Sequence, residues 1–264
     1  MVTDLDELEL LAVEKQARFA RLCREAMTEK HVFGEAGIGT LAEKRMHLIL
    51  KRFLTENEDL HEVGVANTRF VSDVRIGNDV FEVQTGSFYP MQKKIAHYLD
   101  HTDCNVTVLH PIPVRKWISW IDPKSGNVSD RSRSPKAGRV LDLLPELYCL
   151  LPYLGHPRLT FRVLLIEAQE FRILSGRRNN PKSHALKYER IPLALIDDVT
   201  LSSKNDFRNL IPRSLPPHFT VKDFSTLTKI RGRNAYSAVR ALCALGIFSP
   251  AEKIGRSMGF EWDV

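Results

Sequence analysis

Cysteine is scarce in this 264-residue chain, and the little there is does not cluster. Cys23, Cys104, Cys149 and Cys243 stand far apart in apolar or helical surroundings, with no Cys-x-x-Cys pair. That argues against a disulfide framework, and the four read as buried free thiols in a reducing compartment. Long apolar runs are missing as well. No stretch of eighteen apolar residues and no early apolar h-region is found, so neither a membrane span nor a signal peptide is expected. The expectation is a soluble, cytoplasmic protein that does not engage a membrane.

With 264 residues and 43% hydrophobic content, the chain can bury a sizeable core, in one large domain or two smaller ones. A net charge of +6 suggests a polyanion or an acidic surface as partner. The excess is uneven. Arg115 to Arg139 holds seven basic and two acidic residues, and Arg158 to Arg190 eight basic and three acidic, whereas the first thirty residues are nearly balanced. Solvated loops account for such runs about as often as nucleic acid does.

Residues 5–28 are rich in helix formers, and Leu8, Leu11, Phe19, Leu22 and Met27 roughly follow helical spacing. After the glycine-containing stretch 34–39, Thr40-Leu41-Ala42-Glu43 opens a second amphipathic helix through Met46, Ile49, Leu50 and Phe53, ending near Thr55. Three short strands follow at 61–66, 69–76 and 80–85, then a helix from about Pro90 to Leu99 and a strand from Cys104 to Leu109. Residues 111–139, rich in Pro, Ser, Gly and basic side chains, are expected to be loop, with Trp117 to Ile121 a candidate strand. Residues 140–154 read as helix, Leu159 to Ile166 with Glu170 to Leu174 as a hairpin, Ser175 to Ser183 as a basic loop, and Ile211 to Pro217 as a linker.

Within this order, the stretch Val71 to Thr85 carries the chemistry. Two apolar-alternating runs flank Gly77-Asn78, a two-residue hairpin signal in which Gly at the first turn position suits a type II′ turn. If Ile76 faces Asp79, the register pairs Arg75 with Val80, Val74 with Phe81 and Asp73 with Glu82. Like charges directly opposite in a sheet repel. Strand periodicity puts Val80, Glu82 and Gln84 on one face, so Asp73, Glu82 and Gln84 gather into one site. Two carboxylates and an amide oxygen suit a hard cation, Mg²⁺ or Mn²⁺. The plainer alternative is an antiparallel pair with one solvated face.

An acid on a helix, an Asp on one hairpin strand, Glu-x-polar on the next and then a lysine-bearing helix resembles the PD-(D/E)XK nuclease superfamily, the fold of restriction endonucleases and Holliday-junction resolvases. The resemblance covers roughly residues 36–110. It implies an α/β fold with a mixed-sheet, restriction-endonuclease-like core in αβββαβ order. It also implies that Asp73 binds metal, that Glu82 and Gln84 occupy the Glu-x-Lys pair, and that Glu43 matches the extra helical acid of resolvase-like members. Members hold one or two divalent ions that polarise the scissile phosphate and generate hydroxide. Gln84 departs from the pattern, because an amide is no base at neutral pH. Some restriction endonucleases similarly carry Glu-x-Gln, and in other members a Lys migrates to the following helix, where Lys93 and Lys94 stand here. Thr40 and Glu43 also form a capping box that needs no catalysis, and Gln92, Lys93 and Lys94 have an alternative as solvated helix residues. His97, His101 and Cys104 lack a fourth ligand for a transition metal.

Toward the C-terminus, Thr220 with Asp223 opens a helix to about Lys229, Ile230 to Arg233 turns, and Asn234 is placed to cap a second helix through Leu245. Ile247-Phe248 and Phe260-Glu261-Trp262 then flank Gly255 and Gly259. This pattern resembles a winged helix domain. Arg231, Arg233, Ser237 and Arg240, with Lys253 and Arg256 in the wing, are the implied DNA contacts, and a protein-docking or dimer surface is the alternative. The expected organisation is an N-terminal helical segment 1–35, a nuclease domain 36–210 with basic loop insertions, and a smaller winged helix-turn-helix domain 211–264. The expected function is a Mg²⁺- or Mn²⁺-dependent DNA endonuclease acting on duplex or branched DNA. Its module order resembles transposon-end nucleases and some restriction or phage-defence proteins. That implies a prokaryotic or phage-like context and a homodimer or larger nucleoprotein assembly. The rival is a nuclease fold that has lost catalysis and serves as a DNA-binding or scaffold protein. With no aromatic RNA-stacking motif evident, RNA ranks below DNA.

Overall fold

The computed structural model describes residues 4–28, 42–65, 68–175, 182 and 185–263. Its elements begin with α1 (Asp4–Thr28), α2 (Ala42–Leu54), β1 (His61–Gly64), β2 (Val71–Ile76), β3 (Asp79–Val83), α3 (Gln92–His101), β4 (Asn105–Ile121) and β5 (Ser132–Arg133). They continue with β6 (Leu159–Ile173), β7 (Leu186–Leu201), α4 (Lys204–Asn209), β8 (His218–Thr220), α5 (Val221–Thr228), α6 (Arg233–Ala244), β9 (Phe248–Ile254) and β10 (Ser257–Trp262). The class is mixed α/β. A seven-stranded sheet has neighbours β1-β2-β3-β4-β6-β7 with β5 beside β4, and a three-stranded sheet has the order β8-β10-β9. No described helix is long and apolar enough to cross a membrane.

The chain divides into two compact units. One comprises Met1–His61, Pro111–Gly138 and Leu164–Asp198. In it α2 buries Met46, Ile49, Leu50 and Phe53, the apolar stripe foreseen for it, whereas of the positions foreseen for α1 Phe19 and Leu22 are buried and Leu11 and Met27 are exposed. The rings of Phe19 and Phe53 meet edge to face at 5.2 Å. Arg45 of α2 pairs with Glu189 of β7 at 3.3 Å, both nearly buried.

The other unit comprises Glu62–His110, Arg139–Val163 and Val199–Val264. Its hairpin has the foreseen register, Val74 opposite Phe81, Arg75 opposite Val80 and Ile76 opposite Asp79. Gly77 takes φ +61° while Asn78 is not among the positive-φ residues, as a type II′ turn requires. β3 then pairs with β4 in parallel, Val83 opposite Leu109. Parallel neighbours need a crossover, and α3 supplies it, burying Ile95, Tyr98 and Leu99. Phe88 stacks on Phe161 at 6.2 Å and meets His110 edge to face at 5.1 Å. Arg158 ties the end of α3 to β4, donating to the carbonyls of Leu99, Thr102 and Cys104.

Several stretches differ from the sequence reading. The expected loop at 111–116 is strand, running on into the foreseen candidate strand Trp117 to Ile121, because Pro111 and Pro113 lie beyond the point where the β3 ladder ends, so their missing N–H groups interrupt nothing there. The expected hairpin at 159–174 is one strand, β6, since Glu167-Ala168-Gln169 carries no turn residue and buried positions go on recurring as far as Glu170. The expected helix at 140–154 is two 3-10 segments, Val140–Leu143 and Glu146–Tyr153, with Pro145 between them and Pro152 inside the second. β7 and α4 were not foreseen. Most of the basic loop 175–183 lies outside the described residues, as do 29–41, including Thr40 of the foreseen capping box.

At the C-terminal end, Thr220 and Asp223 form the foreseen capping box on α5. Lys229 ends that helix in the left-handed conformation, φ 61°. The next helix is capped by Gly232 at φ 60° and not by Asn234, which falls inside its first turn. β9 and β10 then form a hairpin turning at Gly255 and Arg256, and β8 pairs with β10.

Candidate active site

Strands β2 and β3 place Asp73 and Glu82 side by side, and α3 aims two side chains at the second of them. Glu82 is only 3% exposed. Its Oε2 accepts from Lys94 Nζ at 2.5 Å and its Oε1 from the Tyr98 hydroxyl at 2.8 Å. Lys94 and Tyr98 are four residues apart on a helix, so both fall on the face toward β3. Asp73 Oδ2 accepts from the backbone N–H of Val83 at 2.7 Å, so this carboxylate anchors the strand that bears Glu82. Burial, and after it the neighbouring charge of Asp73, push the Glu82 carboxyl up to about 8, while Lys94 and Tyr98 pull the other way. Burial likewise raises the Tyr98 hydroxyl, and the adjoining Glu82 adds to that, so the phenol stays a donor.

The other expected members fall as follows. Gln84 turns its amide to the Ser87 carbonyl at 2.5 Å, and its backbone carbonyl meets His110 Nδ1 at 2.6 Å. Lys93 is exposed, on a different side of α3 from Lys94. Glu43 lies in the first turn of α2, and its side chain is outside the described residues. His97 and His101 have ring centroids 5.1 Å apart, but among the described residues no three His, Cys, Asp or Glu side chains gather as a ligand set. Arg231, Arg233, Arg240, Lys253 and Arg256 are exposed and Ser237 half-buried, all on the turn before α6, on α6 itself or on the β9–β10 hairpin.

Tyr98 escaped the sequence reading. The signal for it was present, since a tyrosine four residues after Lys94 must share that lysine's helical face.

Asp73 and Glu82 fit a small hard cation by donor chemistry. Mg²⁺ typically binds through one or two carboxylates and keeps several waters, and a divalent ion between two acids relieves the Asp73 repulsion that adds to burial in raising Glu82. Each ionised carboxylate also offers about four lone-pair sites, so the bonds from Lys94 and Tyr98 leave oxygen capacity on Glu82.

Residues 44–202 match the family described as Domain of unknown function (DUF8091). The chain belongs to this family. The matched segment contains Asp73, Glu82, Gln84, Lys94 and Tyr98, and stops before α4. No curated protein and no solved structure matches the chain.

Proposed function

We propose that the protein is a divalent-metal-dependent DNA endonuclease of the PD-(D/E)XK type, with a C-terminal winged helix that binds DNA. The observation that carries this reading is the 2.5 Å contact between Lys94 and Glu82. With Gln84 at the position usual for the catalytic lysine, and turned to Ser87, a lysine from the following helix takes its place beside the metal-binding acid. In this reading Asp73 and Glu82 hold the ion, which supplies Lewis-acid polarisation of a phosphodiester and a water of lowered pKa. Tyr98 fixes the rotamer of Glu82 through its hydroxyl. Lys94 orients the attacking water or a non-bridging phosphate oxygen, and its positive charge offsets charge that develops in the transition state. Burial of Glu82 keeps competing solvent from the carboxylate. Arg231, Arg233, Ser237, Arg240, Lys253 and Arg256 supply phosphate and base contacts from the turn before α6, from α6 and from the β9–β10 hairpin.

Cleavage of single-stranded, duplex and branched DNA with Mg²⁺ or Mn²⁺ tests the reading. Wild type is expected to cleave at least one substrate, Glu82→Gln to lose cleavage while retaining DNA binding, and Lys94→Met to fall by about 10²–10⁴-fold. Loss of cleavage on Gln84→Ala equal to that of Lys94→Met would assign the lysine's role to Gln84 instead.

A second reading has its own support. Both oxygens of Glu82 already carry a hydrogen bond, a closed arrangement suited to a catalytically silent DNA-binding fold. Absence of cleavage by wild type on every substrate, with DNA binding intact, favours it.

A further inference from the structure

A second group of charges lies in the unit formed by Met1–His61, Pro111–Gly138 and Leu164–Asp198, and the hairpin site makes no use of it. Glu170 on β6 is 1% exposed. Three cations from three strands reach its carboxylate: Arg172 Nε of β6 at 2.7 Å, Arg190 Nη2 of β7 at 3.0 Å and Lys116 Nζ of β4 at 3.6 Å. Glu170 and Arg172 are two residues apart and share a strand face. Burial alone pushes the Glu170 carboxyl up, but the pairs with Arg172, Arg190 and Lys116 together bring it down to about 2.

Among the described residues, none of these cations pairs with a second carboxylate. The group therefore carries an excess of two positive charges, and part-buried charges are screened less than surface ones. The crowding registers in Lys116. Burial lowers its ammonium from the ordinary value, and the two guanidiniums lower it further against the pull of Glu170. A network built only to hold three strands together gains nothing from surplus cations, which repel one another. Nor are the cations sealed in. Their side chains keep 15% (Lys116) and 26% (both arginines) of their surface exposed, against 1% for Glu170. The Trp120 ring, 5.7 Å from the Arg172 guanidinium, flanks that group as well. Planar guanidiniums held in place beside an ammonium match the oxygens of a phosphodiester.

We infer that Lys116, Arg172 and Arg190 form an anion site that binds the phosphate backbone of a nucleic acid, with Glu170 setting their positions from beneath. The choice of nucleic acid over another polyanion rests on the DNA-directed function proposed above. The site itself rests on the charge excess.

Binding of the full chain to labelled duplex and single-stranded DNA, followed by fluorescence anisotropy in EDTA over a range of salt, tests this. Lys116→Gln is expected to weaken binding and to make the slope of log K against log salt shallower, by about 0.9 on duplex for one lost phosphate contact. Removing a cation beside a buried carboxylate also costs stability, so Glu170→Gln is the second arm. It frees the cations from their internal anion and is expected to bind DNA several-fold tighter even as its Tm falls. A purely structural network predicts unchanged or weaker binding in both variants, and that result overturns the inference. So does wild type that binds neither DNA form at low salt. Cleavage assayed on the same proteins separates the two proposals. Shifted slopes without cleavage keep this site and sink the nuclease, and cleavage with unchanged slopes does the reverse.

Discussion

Two buried glutamates are held in opposite ways. Glu82 faces another carboxylate and is satisfied by one ammonium and one phenol; Glu170 faces three cations. Removing the phenol leaves a buried oxygen short of a donor, so Tyr98→Phe is expected to destabilise the protein by about 1–3 kcal/mol in urea denaturation. Glu170 makes a prediction in pH. Its folded pKa of about 2 lies below the ordinary carboxylate value of 4.5, so the unfolded chain binds the proton first as pH falls. Its ion pairs therefore contribute fully above about pH 5, and the contribution fades between there and about pH 2. The downward shift corresponds to roughly 3 kcal/mol. Urea midpoints measured from pH 6 to pH 2 should fall steeply in wild type and less in Glu170→Gln. Equal slopes in the two proteins would contradict the assignment.

Glycine positions separate turns that need only a conformation from turns that need space as well. Gly77 takes φ +61° with nothing within 4 Å of an added Cβ, so Gly77→Ala is expected to cost about 1–2 kcal/mol of backbone strain alone. At Gly259 an added Cβ would overlap the Glu252 carbonyl of β9 within the hairpin, so Gly259→Ala is expected to cost more and to disrupt β9 and β10. Thermal melts of the two variants rank them. Such local rules explain what the sequence revealed. The Gly77-Asn78 hairpin was legible because turn chemistry and two-residue alternation agree there, and the α5 cap because Thr220 and Asp223 stand three residues apart. The length of β4 was not, because Pro111 and Pro113 read as breakers when the ladder partners that make them harmless are unknown. The 3-10 segments looked α-helical because both helix types bury similarly spaced apolar residues. Ser203 and Asp206 spell the same capping box for α4 as Thr220 and Asp223 do for α5, so that helix was readable and missed. For Tyr98 the face shared with Lys94 was readable too, but that this face meets β3 is a tertiary fact.

Taken whole, the chain combines a DUF8091 segment at 44–202 with a small sheet and three helices after it, and its net charge of +6 suits a polyanionic partner. Its proposed activity depends on one local claim, that Asp73 and Glu82 together hold a divalent ion. An ion bound only by the folded chain raises its stability by mass action. Mg²⁺ or Mn²⁺ should therefore raise the Tm of wild type and leave Asp73→Asn and Glu82→Gln unmoved. Calorimetric titration of Mn²⁺ into the same three proteins tests the claim most directly. The prediction is a saturable site in wild type, weakened at least about tenfold, or 1.4 kcal/mol, in each variant. Absence of saturable binding in wild type, or equal affinity in all three, would contradict it.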